Sequence, residues 1–294
     1  MLKLDGVFPA LVTPFADGAI DEPALRALVD RVIDGGVAGL VPCGTTGESV
    51  ALSDEEHGRV VRIVAEQARG RVPVIAGAGT ASTAHSIHLA KQARAAGADG
   101  LLLVCPYYNR PTQAGLEAHF RAVLAAVPLP SVLYNIPGRT GVDLSVETLE
   151  RLGDVDAVVG IKEATGNVMR SQMILARCGD RFTVLSGDDG LTLPVLSVGG
   201  RGVISVTANA FPREVCRVVE LWREGQVDAA RAEHLRLLPV HQSMFLESNP
   251  GPVKAVLAAA GHLRPEVRLP LAWPTEPTVA QVQAICDAAK VSAS

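Results

Sequence analysis

Lys162 closes the apolar run Ala157-Val158-Val159-Gly160-Ile161, and Glu163-Ala164-Thr165-Gly166 follows at once. A short apolar run bounded by glycine reads as a strand buried on both faces. A lysine at its exit either snorkels to solvent or is held where low-dielectric surroundings disfavour the ammonium. The second case has chemical consequences. A free lysine is only about 0.04% neutral at pH 7, and desolvation to a pKa of roughly 7–8 raises the nucleophilic fraction about a thousandfold. A neutral amine attacks a ketone and forms a Schiff base.

Other polar groups follow apolar runs in the same way. Gly44-Thr45-Thr46-Gly47-Glu48 sets two hydroxyls between glycines, so backbone amides and side chains could converge on a carboxylate. A helix start capped by threonine would look much the same. Pro106-Tyr107-Tyr108-Asn109-Arg110-Pro111 gathers two of the chain's three tyrosines on one segment. Tyr134, in Leu133-Tyr134-Asn135-Ile136-Pro137, could relay a proton, and Arg139, in Gly138-Arg139-Thr140-Gly141, could clamp a carboxylate with its planar fork. Packing tyrosines and a surface arginine are the plainer alternatives. His85 and His88 lie three apart without an evident third ligand, so no metal site is expected. Asp188-Asp189 suits the cap of a following helix better than a cation site. Cys43 and Cys105 read as small core residues, and no Ser/His/Asp arrangement is recognisable.

Eight short apolar runs must position these groups. They begin near Val7, Gly39, Pro73, Gly100, Ser131, Val158, Phe182 and Gly202, about 20 to 34 residues apart. That spacing fits a strand plus a crossover helix. Helical periodicity fills the gaps at 21–35, 53–69, 82–96 and 112–126, and Ser53 with Glu56 forms a capping box for the second. The series predicts an α/β fold, a closed (β/α)8 TIM barrel over residues 1–224. An open doubly wound sheet would place a glycine-rich phosphate loop after its first strand, where Thr13-Pro14-Phe15 stands instead. Beyond Gly225 the strand signals stop. Helices at 226–241, 250–261 and 278–290 predict a helical C-terminal extension over 225–294. On such a barrel the lysine, the hydroxyl pair, the tyrosine and the arginine share one rim. That set is what Schiff-base chemistry on a 2-oxo acid requires.

Composition agrees. Of 294 residues, 48% are hydrophobic and only 4% aromatic, as parallel strands against helices require. A formal charge of −4 and the lack of a basic, aromatic-studded stripe argue against a nucleic-acid partner. Five scattered cysteines without Cys-x-x-Cys spacing point to a reducing compartment. Neither a signal sequence nor a membrane span is expected, so the chain is expected to be cytoplasmic.

These segments, with Ser186-Gly187-Asp188-Asp189 and Gly202-Val203-Ile204-Ser205-Val206, are similar in order and over nearly the whole chain to the dihydrodipicolinate synthase / N-acetylneuraminate lyase family. The Tyr-Tyr-Asn-Arg-Pro segment and the Arg139 loop resemble the synthase branch in particular. Asn249-Pro250-Gly251-Pro252-Val253-Lys254 matches it too, except that Gly251 replaces a larger apolar residue. The resemblance implies condensation of pyruvate with aspartate 4-semialdehyde and no cofactor. It implies Lys162 as the imine-forming residue and Tyr134, Thr45 and Tyr108 as a proton relay, Tyr108 entering from a neighbouring subunit. It further implies that Thr46 holds the pyruvate carboxylate and Arg139 the semialdehyde carboxylate, with Gly187 and the Ile204 carbonyl lining the pocket. A homotetramer built as a dimer of dimers goes with that shared tyrosine.

One departure from the family stands out. Members inhibited by lysine hold it with an acidic residue, an asparagine and histidines. His57 and Tyr107 match here, but His85 stands at the acidic position, Ala81 at the asparagine and Asp54 at one histidine. The loss of the carboxylate predicts weak or absent inhibition by lysine. Two rivals remain at this level: a pyruvate-dependent aldolase or lyase for a sugar acid, and a non-catalytic barrel that binds a 2-oxo acid.

Overall fold

The computed structural model describes residues 2–293. Its strands are β1 (Gly6–Pro9), β2 (Phe15–Ala16), β3 (Ala19–Ile20), β4 (Ile75–Gly77), β5 (Gly100–Val104), β6 (Ser131–Asn135), β7 (Val158–Glu163), β8 (Thr183–Ser186) and β9 (Gly202–Ser205). Seven of them form one curled parallel sheet in the order β1-β9-β8-β7-β6-β5-β4, and β2 and β3 pair as a small antiparallel ribbon. Helices including Glu22–Asp34, Asp54–Ala68, Thr83–Ala95, Gln113–Ala126, Val168–Cys178 and Pro212–Arg223 alternate with the strands.

Side-chain alternation along the strands divides the core in two. Leu101, Leu103, Leu133, Ile161, Val184 and Val203 face outward against the helices. Phe8, Ile75, Leu102, Val132, Leu185 and Ile204 fill the concave face. Tyr134 belongs to that inner set, and β6–β7 pairing puts Lys162 opposite it. On the other side Lys162 stands opposite Leu185. Register alone therefore aims the lysine inward.

The expected strand near Gly39 is not a strand. It survives as isolated bridges, Ala10 to Val41 and Leu40 to Val74. Pro42 has no N–H to give, and Cys43 turns the backbone to φ 56, so the ladder stops there. The segment still bonds to both edges of the sheet. Ala38 and Val41 donate to Val7 and Pro9 at 2.7 and 2.9 Å, while Leu40 donates to Pro73 at 2.9 Å and accepts from Ile75 at 2.8 Å.

The second long helix begins as its sequence suggests. Glu56 N donates to Ser53 Oγ at 3.2 Å, and Ser53 N returns a bond to Glu56 at 3.0 Å. Past Gly225, helices Val227–Ser243, Gly251–Ala259 and Glu276–Ala288 continue the chain, with no further strand among the described residues. Arg268, between the last two, donates from Nη1 and Nη2 to the two carboxylate oxygens of Glu56, each at 2.6 Å, tying this region back to the second helix.

Candidate active site

The carboxyl ends of the strands bring together most of the residues singled out by type. Lys162 is 5% exposed, and its Nζ lies 4.1 Å from the centroid of the Tyr134 ring. Burial pushes its amine down to about 7; the carboxylate of Asp189 opposes that shift and the guanidinium of Arg139 adds to it. Tyr134 is buried as well, which pushes its phenol up to about 12, while Arg139 and a hydrogen bond with Thr45 pull it back. A proton therefore stays on the tyrosine until a neighbour draws it away.

Arg139 sits on the single helical turn Pro137–Thr140 that follows β6, with its backbone N–H donating to Ile136 at 3.0 Å. Its side chain is exposed, yet its charge reaches both Lys162 and Tyr134. Gly141, at φ 72, ends the turn in a conformation glycine adopts without strain. A cavity of about 360 Å³ opens beside these groups, and Thr45, Tyr134, Arg139, His57, His85 and Tyr107 are among its walls.

Thr46 is buried and receives a 2.9 Å hydrogen bond from Asn249 Nδ2. Gly187 donates its N–H to the Glu163 carbonyl at 2.7 Å, and a Cβ there would lie 2.5 Å from that of Ala164, so only glycine fits. Ile204 lies on the inner face of β9. Of the residues singled out, Thr45, Tyr134 and Arg139 line the cavity, whereas Lys162, Thr46, Gly187 and Ile204 do not, and neither does Tyr108. Tyr108 is 93% exposed at φ 73. His85 and His88 both spend a ring nitrogen on Asp54, at 2.9 and 3.3 Å.

Four residues that hold the site were given no role there by the sequence: Asp189, Asn249, Lys254 and Glu163. Asp188 does cap, accepting from Gly190 N at 2.9 Å, but Asp189 is a buried carboxylate. It accepts from Ser205 Oγ and from the amides of Val206 and Thr207 at 2.8 and 3.2 Å. Asn249 reaches Thr46 across 203 residues, and Lys254 reaches Glu48 across 206. No local pattern signals such pairings. Glu163, next to Lys162, is held by Arg170 Nε and Thr165 N, both at 2.8 Å.

Residues 3–289 match the dihydrodipicolinate synthetase family. The chain is 52% identical over 267 residues to the 4-hydroxy-tetrahydrodipicolinate synthase of Pelobacter propionicus, covering 91% of this chain and 92% of that protein. With the enzyme of the same name from Sorangium cellulosum it shares 55% over 284 residues, 96% of this chain and 94% of that one. Among solved structures, the 4-hydroxy-tetrahydrodipicolinate synthase of Methylacidiphilum fumariolicum SolV aligns with a TM-score of 0.96 at 46% identity, covering 98% of this chain and 96% of its own. A dihydrodipicolinate synthase from Cyanidioschyzon merolae, with lysine bound, aligns at 0.94 with 38% identity, covering 97% and 98%.

Proposed function

The chain belongs to the dihydrodipicolinate synthetase family, and from that membership we propose that it condenses pyruvate with L-aspartate 4-semialdehyde to give 4-hydroxy-tetrahydrodipicolinate, on the route to diaminopimelate and lysine. The observation that carries the reading is the amine of Lys162, buried at the strand end beside Tyr134 with its pKa pushed down to about 7. At neutral pH about half of it is a free nucleophile.

Nζ of Lys162 attacks the keto carbon of pyruvate, and the oxygen leaves as water. The resulting iminium draws electrons from the methyl group, which loses a proton and becomes the terminal carbon of an enamine. That carbon attacks the aldehyde, whose oxygen takes up a proton. The amine of the bound semialdehyde then adds to the imine carbon, closes the ring and displaces Lys162. Tyr134 and Thr45 serve the proton transfers with Tyr108 of an adjacent subunit, and the 93% exposure of Tyr108 leaves it free to be shared. Thr46 binds the carboxylate of pyruvate, and Arg139 binds that of the semialdehyde. Gly187 and the carbonyl of Ile204 complete the walls. The protein's own iminium is the electron sink, so no cofactor is required.

Around this site we read a closed (β/α)8 barrel over 1–224, the bonds of segment 38–42 to both sheet edges supporting closure, and a helical extension over 225–294. Sharing Tyr108 requires at least a dimer, and the homotetramer, a dimer of dimers, is carried by the family resemblance. A cytoplasmic setting is supported by Cys43, Cys105, Cys178, Cys216 and Cys286, all free.

Borohydride reduction in the presence of pyruvate, followed by peptide mapping, tests the reading. A reduced adduct on the peptide carrying Lys162 is expected, and its absence ends the Schiff-base assignment. An adduct without turnover of aspartate semialdehyde would transfer the case to a lyase acting on a sugar acid.

A further inference from the structure

The turn that carries Thr45 and Thr46 is held from the far end of the chain. Asn249, 5% exposed, donates Nδ2 to Thr46 Oγ1 at 2.9 Å. Two residues past Thr46, Glu48 sits at φ 54, a left-handed conformation that a residue with a side chain keeps only when its surroundings hold it. One oxygen of its carboxylate takes Lys254 Nζ, and the other accepts the backbone N–H of Arg268 at 2.8 Å. Both anchors lie beyond the last strand.

A threonine hydroxyl has one hydrogen and two acceptor sites. With an acceptor site occupied by the amide of Asn249, the hydroxyl hydrogen points elsewhere, because an amide nitrogen cannot accept it. Turning the Asn249 amide over would strand two buried N–H donors, whereas the present orientation leaves only its carbonyl oxygen unpartnered, the less costly orphan. An unrestrained hydroxyl would spend part of its rotation offering lone pairs to an anion. At Thr46 the Asn249 amide closes one of the three staggered positions to the hydrogen and so biases it towards donating.

We propose that Asn249 is a positioning residue that biases the Thr46 hydroxyl towards donating a hydrogen bond to the carboxylate of the 2-oxo acid. The Glu48–Lys254 pair holds the backbone of the same turn. The inference rests on the assignment of Thr46 to the pyruvate carboxylate.

Asn249→Ala, Thr46→Val and the double variant test it, through borohydride trapping against pyruvate concentration and through steady-state kinetics. In Asn249→Ala the pyruvate concentration for half-saturation rises about tenfold, the loss expected for one hydrogen bond to a charged group. The KM for semialdehyde and kcat stay within about twofold, and the double variant binds pyruvate no worse than Thr46→Val alone. Asn249→Asp keeps the shape but offers only acceptors, so it draws the Thr46 hydrogen to itself. It raises the pyruvate requirement at least as far, and it serves where the alanine variant does not fold. Pyruvate saturation within about twofold of the parent in both Asn249 variants, or losses that multiply in the double variant, overturn the proposal. Unchanged saturation in Thr46→Val removes Thr46 from the carboxylate site and overturns the proposal with it, while Lys162 chemistry stands. A parent enzyme that traps no pyruvate overturns the Schiff-base reading itself.

Discussion

Lys162 and Lys254 are both withdrawn from water, at 5% and 0% exposure, and both rest near an aromatic ring, Tyr134 at 4.1 Å and Phe15 at 4.4 Å. Burial lowers the pKa of each. The difference lies in what faces the amine. Lys254 donates to the Glu48 carboxylate, which opposes that shift, and at 3.0 Å to the Glu266 carbonyl. Among the described residues Lys162 has no ion-pair partner. Asp189 acts on it through space, but its carboxylate oxygens are engaged by Ser205, Val206 and Thr207, and Arg139 works in the opposite sense. The two buried lysines thus differ in that a bound carboxylate is supplied to Lys254 and withheld from Lys162, which is what the proposed nucleophile needs.

Lys162→Ala gives the largest expected effect. Turnover falls at least about a thousandfold and the borohydride adduct disappears, because among the described residues no other amine stands beside Tyr134. Lys162→Met adds a thermodynamic readout. The folded protein holds the Lys162 proton less tightly than the unfolded chain, so stability climbs as pH rises from about 7 towards 10.5. Below that window the charged form is buried at full cost. The methionine variant removes this slope, and equal slopes by denaturant titration would show that Lys162 is not desolvated as described. Lys254→Met should behave in the reverse way. It leaves Glu48 buried without its partner and lowers stability by about 3–5 kcal/mol, while adduct formation on Lys162 persists. Adding Glu48→Gln recovers part of that loss; a double variant less stable than Lys254→Met would contradict the pairing.

Arg139→Ala sharpens the contrast from a third side. Loss of a carboxylate clamp cuts kcat/KM for the semialdehyde about a hundredfold and leaves pyruvate trapping largely intact. In the parent, the rate of imine formation rises about tenfold per pH unit below about 7 and flattens above it, since only the free amine attacks. Removal of the Arg139 charge moves that midpoint to higher pH, because its field disfavours the ammonium. A midpoint that stays or falls would detach Arg139 from the lysine. The smallest effect concerns free lysine. With His85 lining the cavity and Asp54 already engaged by His85 and His88, half-inhibition requires more than about 1 mM, weaker than some 4 kcal/mol of binding. An inhibition curve with a lower midpoint would refute this.

How much of this was legible beforehand follows from the range of each interaction. Strand alternation and register are local, so the inward aim of Lys162 beside Tyr134 could be read from two short segments. The capping box of Ser53 and Glu56 is local too, and it stands as written. Near Gly39 an apolar run suggested a strand, but Pro42 and the left-handed Cys43 reduced it to bridges. Asp189, Asn249 and Lys254 were illegible for the opposite reason. Their partners lie far off in the chain, and Asp189 carries the same letter as its capping neighbour Asp188.

The reach of Asn249 and Lys254 back to residues 46 and 48 also sets an order of events during synthesis. A ribosome delivers the threonine turn, the tyrosine and the reactive lysine well before it delivers their anchors. Chains fold in part as they emerge. The nascent protein therefore carries Lys162 with the turn of residues 44–48 unanchored until residues 249–254 are translated. A chain that stops before Asn249 keeps Lys162 but lacks both anchors of the threonine turn, and it is expected to trap pyruvate less well than a chain that carries them.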